Sequence, residues 1–358
     1  MQKRILLITD EMEMGGTQRQ ITNLLLNIDK KNIDIELLYF VNESPLIHEL
    51  RENNIRVTKI SKNGTFDFKF VMNLILFVRN KKFDAIHSFA ISAEFWGFVA
   101  YIMSPASRFI TSIRGVYEWY ELKHWFMKSI FSCFSYRVVG NSLAGIEYAR
   151  SKMWCRKENF QLIYNGINTD LRNPMLDDYE FNTDFFYLLS VGRLIEGKNN
   201  SLLIDAMDEL NKKYSNLKLL IIGEGPDRKN LESKIKKFGC DNIELLGEKS
   251  NVNYYMNNTD LLVHPSLREG LSNTILEAFT HGLLVLVSDA DGNKELVKNN
   301  DTGLLFKNGC LLDLIESIGA VIDDKNKYHN CTVNANEAIK SKFSIDSMCK
   351  QYQELYEK

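Results

Sequence analysis

Short, nearly continuous apolar runs alternate along the chain with stretches in which apolar residues recur at helical spacing. Such runs are typical of strands buried on both faces of a parallel sheet. Between the first two runs, Ile21, Leu24, Leu25 and Ile28 fall on one face of a predicted helix. The predicted strands are RILLIT, IDIELLYF, IRVTKI, FDAIHSF, RFITSI, YRVVG and FQLIYN in the first half, and FYLLSVG, LKLLIIG, NIELLG, DLLVHPS, LLVLVSD and TGLLF in the second. About thirteen strands are too many for one open sheet, so we expect two doubly wound α/β domains.

The composition agrees with this interpretation and excludes several classes of protein. The chain has 358 residues, 45% of them hydrophobic and 25% charged, which is typical of a soluble globular protein with more than one core. A net charge of −2 argues against nucleic acid as a partner. The polar segment NTDLRNPMLDDYEFNTD (168–184) carries a proline and has no periodicity, so we interpret it as the linker.

The sequence also predicts a cytoplasmic protein. The apolar run in MQKRILLITD is too short for a signal peptide, and FAISAEFWGFVAYIM (89–103) is shorter than the ~20 residues of a membrane-spanning helix. The six cysteines are scattered without CxxC spacing, so buried free thiols are favoured over a metal site or a disulfide framework.

Ligands of open α/β sheets bind beyond the carboxyl ends of the strands, so we expect ligand-binding residues in the turns that follow the strands. Gly15 and Gly16 follow the first strand and precede a helix. They either bring backbone close to a phosphate or sugar or simply form a tight turn. The spacing is not GxGxxG, so a dinucleotide fingerprint is not supported.

A second turn, in SVGRLIEGKNN, contains two cations in front of a helix. Arg193 and Lys198 together with a helix N-terminus would attract an anion, and a diphosphate suits an arginine fork beside a lysine point charge. The alternative is a solvated basic loop.

The third turn, REGLSNTILEAFTHG, combines two carboxylates with a helix start. We expect Asn273 as the N-cap, a helix over 274–281 and Gly282 as its stop. The free N–H groups near 271–274 favour a phosphate, and Glu269 and Glu277 then accept hydrogen bonds from neighbouring sugar hydroxyls. Alternatively, Glu277 is a surface residue in the first helical turn and Glu269 a loop charge.

REGLSNTILEA, with seven residues between its glutamates, resembles the signature of the GT-B glycosyltransferases of retaining family 4. The stretches MGGTQR, VVGNSLAGIEYAR, IYNGINTD, VGRLIEGKN, LLIIGEGPDRKNLE and NDTGLLF resemble further motifs of that family in matching order. The resemblance implies two Rossmann-like domains that face a central cleft. It implies an acceptor domain over 1–168, onto which a C-terminal helix at 343–358 packs back, and a donor domain over 169–342.

The resemblance also implies roles for individual residues. Arg193 and Lys198 would bind the donor diphosphate, Glu269 the hydroxyls of the donor sugar, and Glu277 the ribose. Gly16 would face the diphosphate, and backbone at Gly247 or Glu248 would line the base pocket. The residues assigned to donor binding are Gly15, Gly16, Gly247, Gly270, Leu271, Ser272, Asn273 and Glu277.

One position departs from the family pattern. Where many relatives carry a histidine near the reacting carbon, this chain reads TSIRGVYEW, with Arg114 at about that place. Arginine stays protonated and cannot act as a base. Arg114 would stabilise departing phosphate charge, bind an anionic acceptor, or serve only as a structural ion-pair partner.

The implied reaction moves a hexose-type sugar from a nucleoside diphosphate, with UDP preferred, to a hydroxyl of a glycan or lipid-linked acceptor, with retention. The Lys- and Asn-rich usage favours a bacterial source and surface polysaccharide synthesis as the setting. No cofactor or metal is expected, because Arg193 and Lys198 supply positive charge and SDADGN (288–293) resembles a donor-side loop of the family rather than a metal motif. The alternatives are a nucleotide-sugar 2-epimerase and a catalytically degenerate sugar-nucleotide-binding paralogue.

The aromatic and basic segment 117–137 allows two interpretations. It either contacts an anionic membrane surface or a lipid-linked acceptor at the inner face of the cytoplasmic membrane, or it is a core helix with a solvated basic rim. The residues that suggest the contact are Trp119, Trp125, Phe126, Phe131, Lys123, His124, Lys128 and Arg137.

Overall fold

The computed structural model describes residues 2–64, 67–104, 107–117, 120–154, 156–169 and 177–358. The chain divides into two compact units. Unit 1 comprises Met1–Gly166 and Ser344–Lys358, and unit 2 comprises Ile167–Phe343. The chain therefore changes unit at 166/167 and 343/344, whereas the sequence placed these boundaries at 168/169 and 342/343. Of the linker predicted over 168–184, residues 170–176 lie outside the described residues.

Unit 1 is built on a seven-stranded sheet in the order β3-β2-β1-β4-β5-β6-β7, and every pairing is parallel. Its strands are β1 Lys3–Thr9, β2 Ile33–Tyr39, β3 Arg56–Lys59, β4 Ala85–Ser88, β5 Arg108–Ile113, β6 Arg137–Gly140 and β7 Phe160–Leu162. Its helices are α1 Gly16–Asn27, α2 Pro45–Glu52, α3 Phe68–Lys81, α4 Ile91–Met103, α5 Leu122–Phe134, α6 Leu143–Lys152 and α14 Ile345–Glu357.

The apolar run of β1 shows why this sheet is covered on both faces. Ile5 and Leu7 enter one core cluster, to which α1, α2 and α14 contribute, whereas Leu6 and Ile8 enter another, to which α3, α4 and α5 contribute. Since successive side chains of a strand point to opposite faces, an uninterrupted apolar run can fill both cores at once.

Unit 2 repeats the plan with a six-stranded parallel sheet in the order β10-β9-β8-β11-β12-β13. Its strands are β8 Phe186–Val191, β9 Leu217–Ile222, β10 Ile243–Gly247, β11 Leu261–His264, β12 Leu284–Ser288 and β13 Leu304–Phe306. Its helices are α7 Asn200–Leu210, α8 Arg228–Phe238, α9 Val252–Asn258, α10 Asn273–Thr280, α11 Asp291–Leu296, α12 Leu311–Asp323 and α13 His329–Lys342. The prediction of two Rossmann-like, parallel-sheet domains is confirmed.

Each sheet reverses its strand order at one place, and that place marks where a ligand would bind. In unit 1 the reversal lies between β1 and β4, and in unit 2 between β8 and β11. The turns after β8 and β11 carry Lys198 and Glu269 respectively. The topology thus directs attention to the two turns that the sequence singled out in unit 2.

The described cysteines are free thiols, but the expectation that they are buried is wrong for two of them. Cys133 is exposed and Cys310 partly exposed, while Cys240, Cys331 and Cys349 are buried. Cys155 lies outside the described residues. Within the described chain, every helix is too short or too polar to cross a membrane.

Candidate active site

The turns after β8 and β11 are joined to each other at the carboxyl edge of the unit 2 sheet. The turn after β8 contains a short 3₁₀ helix, Glu196–Lys198, and leads into α7. The backbone N–H of Leu267, in the turn after β11, donates to the carbonyl oxygen of Gly197 at 2.9 Å. This bond places the side chains of Lys198 and Glu269 within reach of each other.

Glu269 is the centre of a compact polar cluster. Its Oε1 forms an ion pair with Lys198 Nζ, lies 2.8 Å from His264 Nε2 and accepts a hydrogen bond from Ser266 Oγ at 3.1 Å. The Lys198 and Glu269 side chains are 24% and 13% exposed, and His264 is buried at the end of β11. The structure therefore brings together two of the predicted residues, Lys198 and Glu269.

The cluster holds Glu269 ionised and His264 neutral. Burial by itself raises the pKa of the Glu269 carboxyl, but the charge of Lys198 and the contact with His264 outweigh it, so the pKa lies well below its usual range. Burial, and then the charge of Lys198, lowers the pKa of His264. At neutral pH the site accordingly presents one carboxylate and one ammonium group.

His264 and Ser266 were missed from the sequence. The signal was present in VHPS, because a histidine at the carboxyl end of a central strand stands where ligand-binding turns begin. Neither residue is assigned a role from the sequence.

Glycines let the surrounding turns approach closely. A Cβ at Gly292 would overlap the carbonyl oxygen of Gly270, and a Cβ at Gly223 would overlap that of Gly192. Gly247, assigned to the base pocket, ends β10 in the left-handed region with φ of +71°. The turn that carries Glu269 and Gly270 is therefore packed directly against the start of α11.

The start of α10 differs by one residue from the prediction. The N-cap is Ser272, whose Oγ accepts from the N–H of Ile275 at 3.5 Å, so Asn273 is the first helical residue rather than the cap. Leu271 and Ser272 are buried just before the helix. Glu277 is the fifth residue of α10, one position beyond its first turn, and its side chain is partly buried.

Arg193 lies in the same turn as Lys198 but does not join the cluster. Its side chain is exposed, and no described carboxylate lies within ion-pair distance of its guanidinium. Its own backbone N–H and C=O belong to the turn, in which Ile195 N–H donates to Arg193 O at 3.0 Å.

In unit 1, Arg114 follows β5 and is held without a carboxylate. One terminal nitrogen donates to Asn165 Oδ1 at 2.8 Å, the other lies 3.5 Å from the Tyr352 hydroxyl, and the guanidinium lies over the Phe89 ring. Its Nε is buried without a partner among the described residues. The alternative that made Arg114 a structural ion-pair partner is therefore wrong for the described part of the chain.

The glycines after β1 also belong to unit 1. Gly15 is the N-cap of α1 in an extended conformation and offers no side-chain cap, and Gly16 is the first residue of the helix. Extended backbone is open to any residue, so the conformation of Gly15 does not itself demand glycine.

Part of segment 117–137, for which a membrane contact and a core helix were the two interpretations, lies in the core. Trp125, Lys128 and Phe131 on α5 are buried, and Lys128 forms a 2.6 Å ion pair with the buried Glu94 of α4. Trp119 lies outside the described residues. The outward face of α5 instead carries Leu122, Phe126, Ile130 and Phe134.

Two sequence-family models match the chain one after the other. The model for Glycosyltransferase Family 4 matches residues 14–171, and the model for Glycosyl transferases group 1 matches residues 172–338. The chain belongs to the group 1, family 4 glycosyltransferases. The chain has the GT-B fold, and it spans about half or less of the length of the first curated relatives that it matches.

Two relatives of this chain are named as sugar transferases for diphospho-undecaprenol-linked sugars, and one similar structure was solved with UDP and glucose. The chain is 28% identical to the Campylobacter jejuni N-acetylgalactosamine-N,N'-diacetylbacillosaminyl-diphospho-undecaprenol 4-alpha-N-acetylgalactosaminyltransferase over 52% of this chain and 51% of that relative, so the match spans about half of that protein. It is 22% identical to the Escherichia coli UDP-Gal:alpha-D-GlcNAc-diphosphoundecaprenol alpha-1,3-galactosyltransferase over 96% and 94% of the two chains. The Anabaena protein HepE, solved with UDP and glucose, superposes with a TM-score of 0.86 at 19% identity and covers 99% of each chain.

Proposed function

We propose that this chain transfers a hexose-type sugar from a UDP-sugar to a hydroxyl of a glycan or lipid-linked acceptor, with the anomeric configuration retained and without a metal ion. The observation that carries the proposal is the contact between Lys198 and Glu269 at the strand-order reversal of unit 2. Lys198 offers a cation for a diphosphate, and Glu269 offers an ionised group that only accepts hydrogen bonds, as sugar hydroxyls require. The two lie side by side at the place where such sheets bind ligands.

Each residue of unit 2 has a proposed role in holding the donor. Lys198 and Arg193 bind the diphosphate, and the exposed Arg193 fork is available for a bidentate contact. Glu269 accepts from the sugar hydroxyls and Glu277 from the ribose. The backbone N–H groups at the start of α10, between Leu271 and Asn273, face developing negative charge.

The chemistry follows from where charge develops. In an oxocarbenium-like transition state, negative charge grows on the leaving diphosphate, so cations fixed there favour the transition state over the bound donor. Because Arg193 and Lys198 supply that charge, we propose no metal. Retention follows if the leaving phosphate takes the acceptor proton on the same face of the sugar, and a trapped covalent adduct on Glu269 would contradict this route.

UDP is the proposed nucleotide, because the Escherichia coli relative is named for UDP-Gal and HepE was solved with UDP and glucose. The direct test is calorimetric titration with UDP, GDP and ADP, followed by UDP-glucose, UDP-galactose and their N-acetylated forms. We expect UDP and at least one UDP-sugar to bind, and transfer to lipid-linked or soluble glycans to persist in EDTA. Binding of none of these donors would overturn the proposal. Conversion of donor alone to its 2-epimer would favour the epimerase.

The proposed acceptor brings the protein to a membrane, and unit 1 carries a surface suited to one. Helix α4 packs against both α3 and α5 on the same side of the sheet. Outward-facing apolar side chains of these three helices form what we call the apolar face, and they are between 37% and 89% exposed. Its members are Phe68, Met72 and Leu76 on α3, Phe95 and Ile102 on α4, and Leu122, Phe126, Ile130 and Phe134 on α5.

The charges of these helices favour an anionic lipid surface over other occupants. The exposed charged residues within α3, α4 and α5 are Lys69, Arg79 and Lys123, all cationic. The one carboxylate in the three helices, Glu94, is buried against Lys128. Glu121, the N-cap of α5, is exposed and pairs with Lys123 at 2.9 Å, so Lys69 and Arg79 are the exposed cations of these helices without a carboxylate partner among the described residues. An apolar surface with exposed cations beside it fits the headgroup region of an anionic bilayer. We therefore propose that the protein works at the inner face of the cytoplasmic membrane.

Vesicle flotation tests this assignment. We expect binding to vesicles that contain phosphatidylglycerol, weaker binding to pure phosphatidylcholine, and loss of binding in the triple variant Leu122→Ser, Phe126→Ser, Ile130→Ser. Leu312→Ser with Val333→Ser, which changes exposed apolar residues of unit 2, is the matched control and should bind normally. Lys123→Gln should weaken binding by about 1 kcal/mol, roughly fivefold.

Two outcomes contradict the membrane assignment. Equal flotation of the triple variant and the wild type would show that the apolar face does not contact lipid. A wild-type protein that does not float but forms a dimer, which the triple variant abolishes, would assign the face to a second copy of the chain.

A further inference from the structure

The two oxygens of the Glu269 carboxylate have different surroundings. All three protein contacts, from Lys198, His264 and Ser266, are made to Oε1. Among the described residues, Oε2 has no hydrogen-bond partner, although the side chain is only 13% exposed. The protein therefore fixes the carboxylate through one oxygen and leaves the other for a ligand.

His264 is the most firmly placed of the three contacts. It ends β11, which is paired with β8 on one side and β12 on the other, so its backbone is fixed by two neighbouring strands. Its side chain is buried, unlike that of Lys198. Because an ionised carboxylate only accepts hydrogen bonds, the 2.8 Å contact requires His264 Nε2 to carry a proton and to donate to Oε1.

Lys198 by itself would not orient the carboxylate. An ammonium group is a point charge with rotatable donors on a flexible chain, and it attracts either carboxylate oxygen. The imidazole N–H points in one direction set by the strand. His264 can therefore decide which oxygen faces the ligand, while Lys198 remains available to a phosphate.

We propose that His264 is a positioning residue for sugar transfer: its Nε2–H binds Oε1 of Glu269 so that Oε2 is presented to a hydroxyl of the donor sugar. The inference rests on the proposed function, because it takes Glu269 as the sugar-contacting group. It goes further, because it makes the preference for a UDP-sugar over UDP depend on His264, a residue that contacts neither ligand.

The matched pair His264→Gln and His264→Met tests this role. The two side chains have similar length and volume, but only glutamine offers an N–H donor to Glu269. Titration of each folded variant with UDP and with the UDP-sugar that the wild type binds gives a ratio of two dissociation constants. We expect His264→Met to weaken the UDP-sugar about tenfold relative to UDP, and His264→Gln to restore most of that loss.

A double-mutant cycle separates positioning from packing. In a Glu269→Ala background, His264→Met should no longer change the ratio of dissociation constants, since the acceptor that it orients is gone. Equal ratios for the wild type and His264→Met would overturn the inference, as would equal loss in His264→Met and His264→Gln. A wild type that binds neither UDP nor any UDP-sugar would instead overturn the proposed function.

Discussion

Replacement of Lys198 by methionine is the sharpest test of the donor site. The change keeps the length of the side chain and removes its charge. Lys198 has two tasks in the proposed site, because its ammonium group pairs with Glu269 and is placed to meet a diphosphate. A hydrogen bond to a charged group contributes about 1.5–3 kcal/mol, so UDP should bind roughly 10–150 times more weakly.

The same replacement should introduce a pH dependence that the wild type lacks. Burial raises the pKa of Glu269, and Lys198 is the largest of the influences that lower it. Without Lys198, the carboxyl protonates as the pH falls through a higher pKa, and a protonated Oε2 is a weaker acceptor for the sugar hydroxyl. Affinity for the UDP-sugar relative to UDP should therefore fall as the pH is lowered below neutrality in Lys198→Met and stay level in the wild type.

Isothermal titration at fixed ionic strength measures both effects. Lys212→Met is the matched control, because Lys212 is an exposed lysine of unit 2 that pairs with Glu209 on the surface. It should bind UDP as the wild type does. The reasoning is refuted if Lys198→Met binds UDP within twofold of the wild type, or if its preference for UDP-sugar over UDP does not change with pH.

Two further predictions concern packing. Gly292→Ala should displace the turn that carries Glu269, since the new Cβ would overlap Gly270 O. We expect the free energy of unfolding in urea to fall by about 1–3 kcal/mol. Gly197→Ala is the control and should unfold as the wild type does, because a Cβ at Gly197 meets open space. Lys128→Met should destabilise the protein by about 3–5 kcal/mol at pH 7, because Glu94 is left buried and unpaired. Burial raises the pKa of Glu94, and the loss of stability should therefore shrink as the pH falls and the carboxyl becomes neutral. A loss of stability that is constant with pH, or absent, would contradict this account.

Strands were the most predictable part of the fold. Each run predicted as a strand contains one. An uninterrupted apolar run such as that of β1 is buried on both faces of the sheet, because its alternate side chains enter two different core clusters. The cap of α10 was missed by one residue, since Ser272 and Asn273 are both good N-caps and only the three-dimensional arrangement chooses between them.

Long-range contacts set the limit of what the sequence could predict. Lys128 looked like a surface cation, because nothing in α5 reveals a carboxylate 34 residues earlier on α4. Likewise, Glu269 and Lys198 could be proposed from motifs, but the orientation of the carboxylate depends on three segments that meet only in the folded sheet. His264 was overlooked for that reason.

The C-terminal helix α14 has a consequence for biosynthesis. Its Tyr352 and Tyr356 lie in the core of unit 1, and the Tyr356 hydroxyl lies 2.8 Å from the buried His87. A ribosome therefore releases all of unit 2 before unit 1 has received its last core residues. Unit 2, which is one uninterrupted stretch, can fold during translation, whereas unit 1 keeps an open hydrophobic surface until α14 has been synthesised.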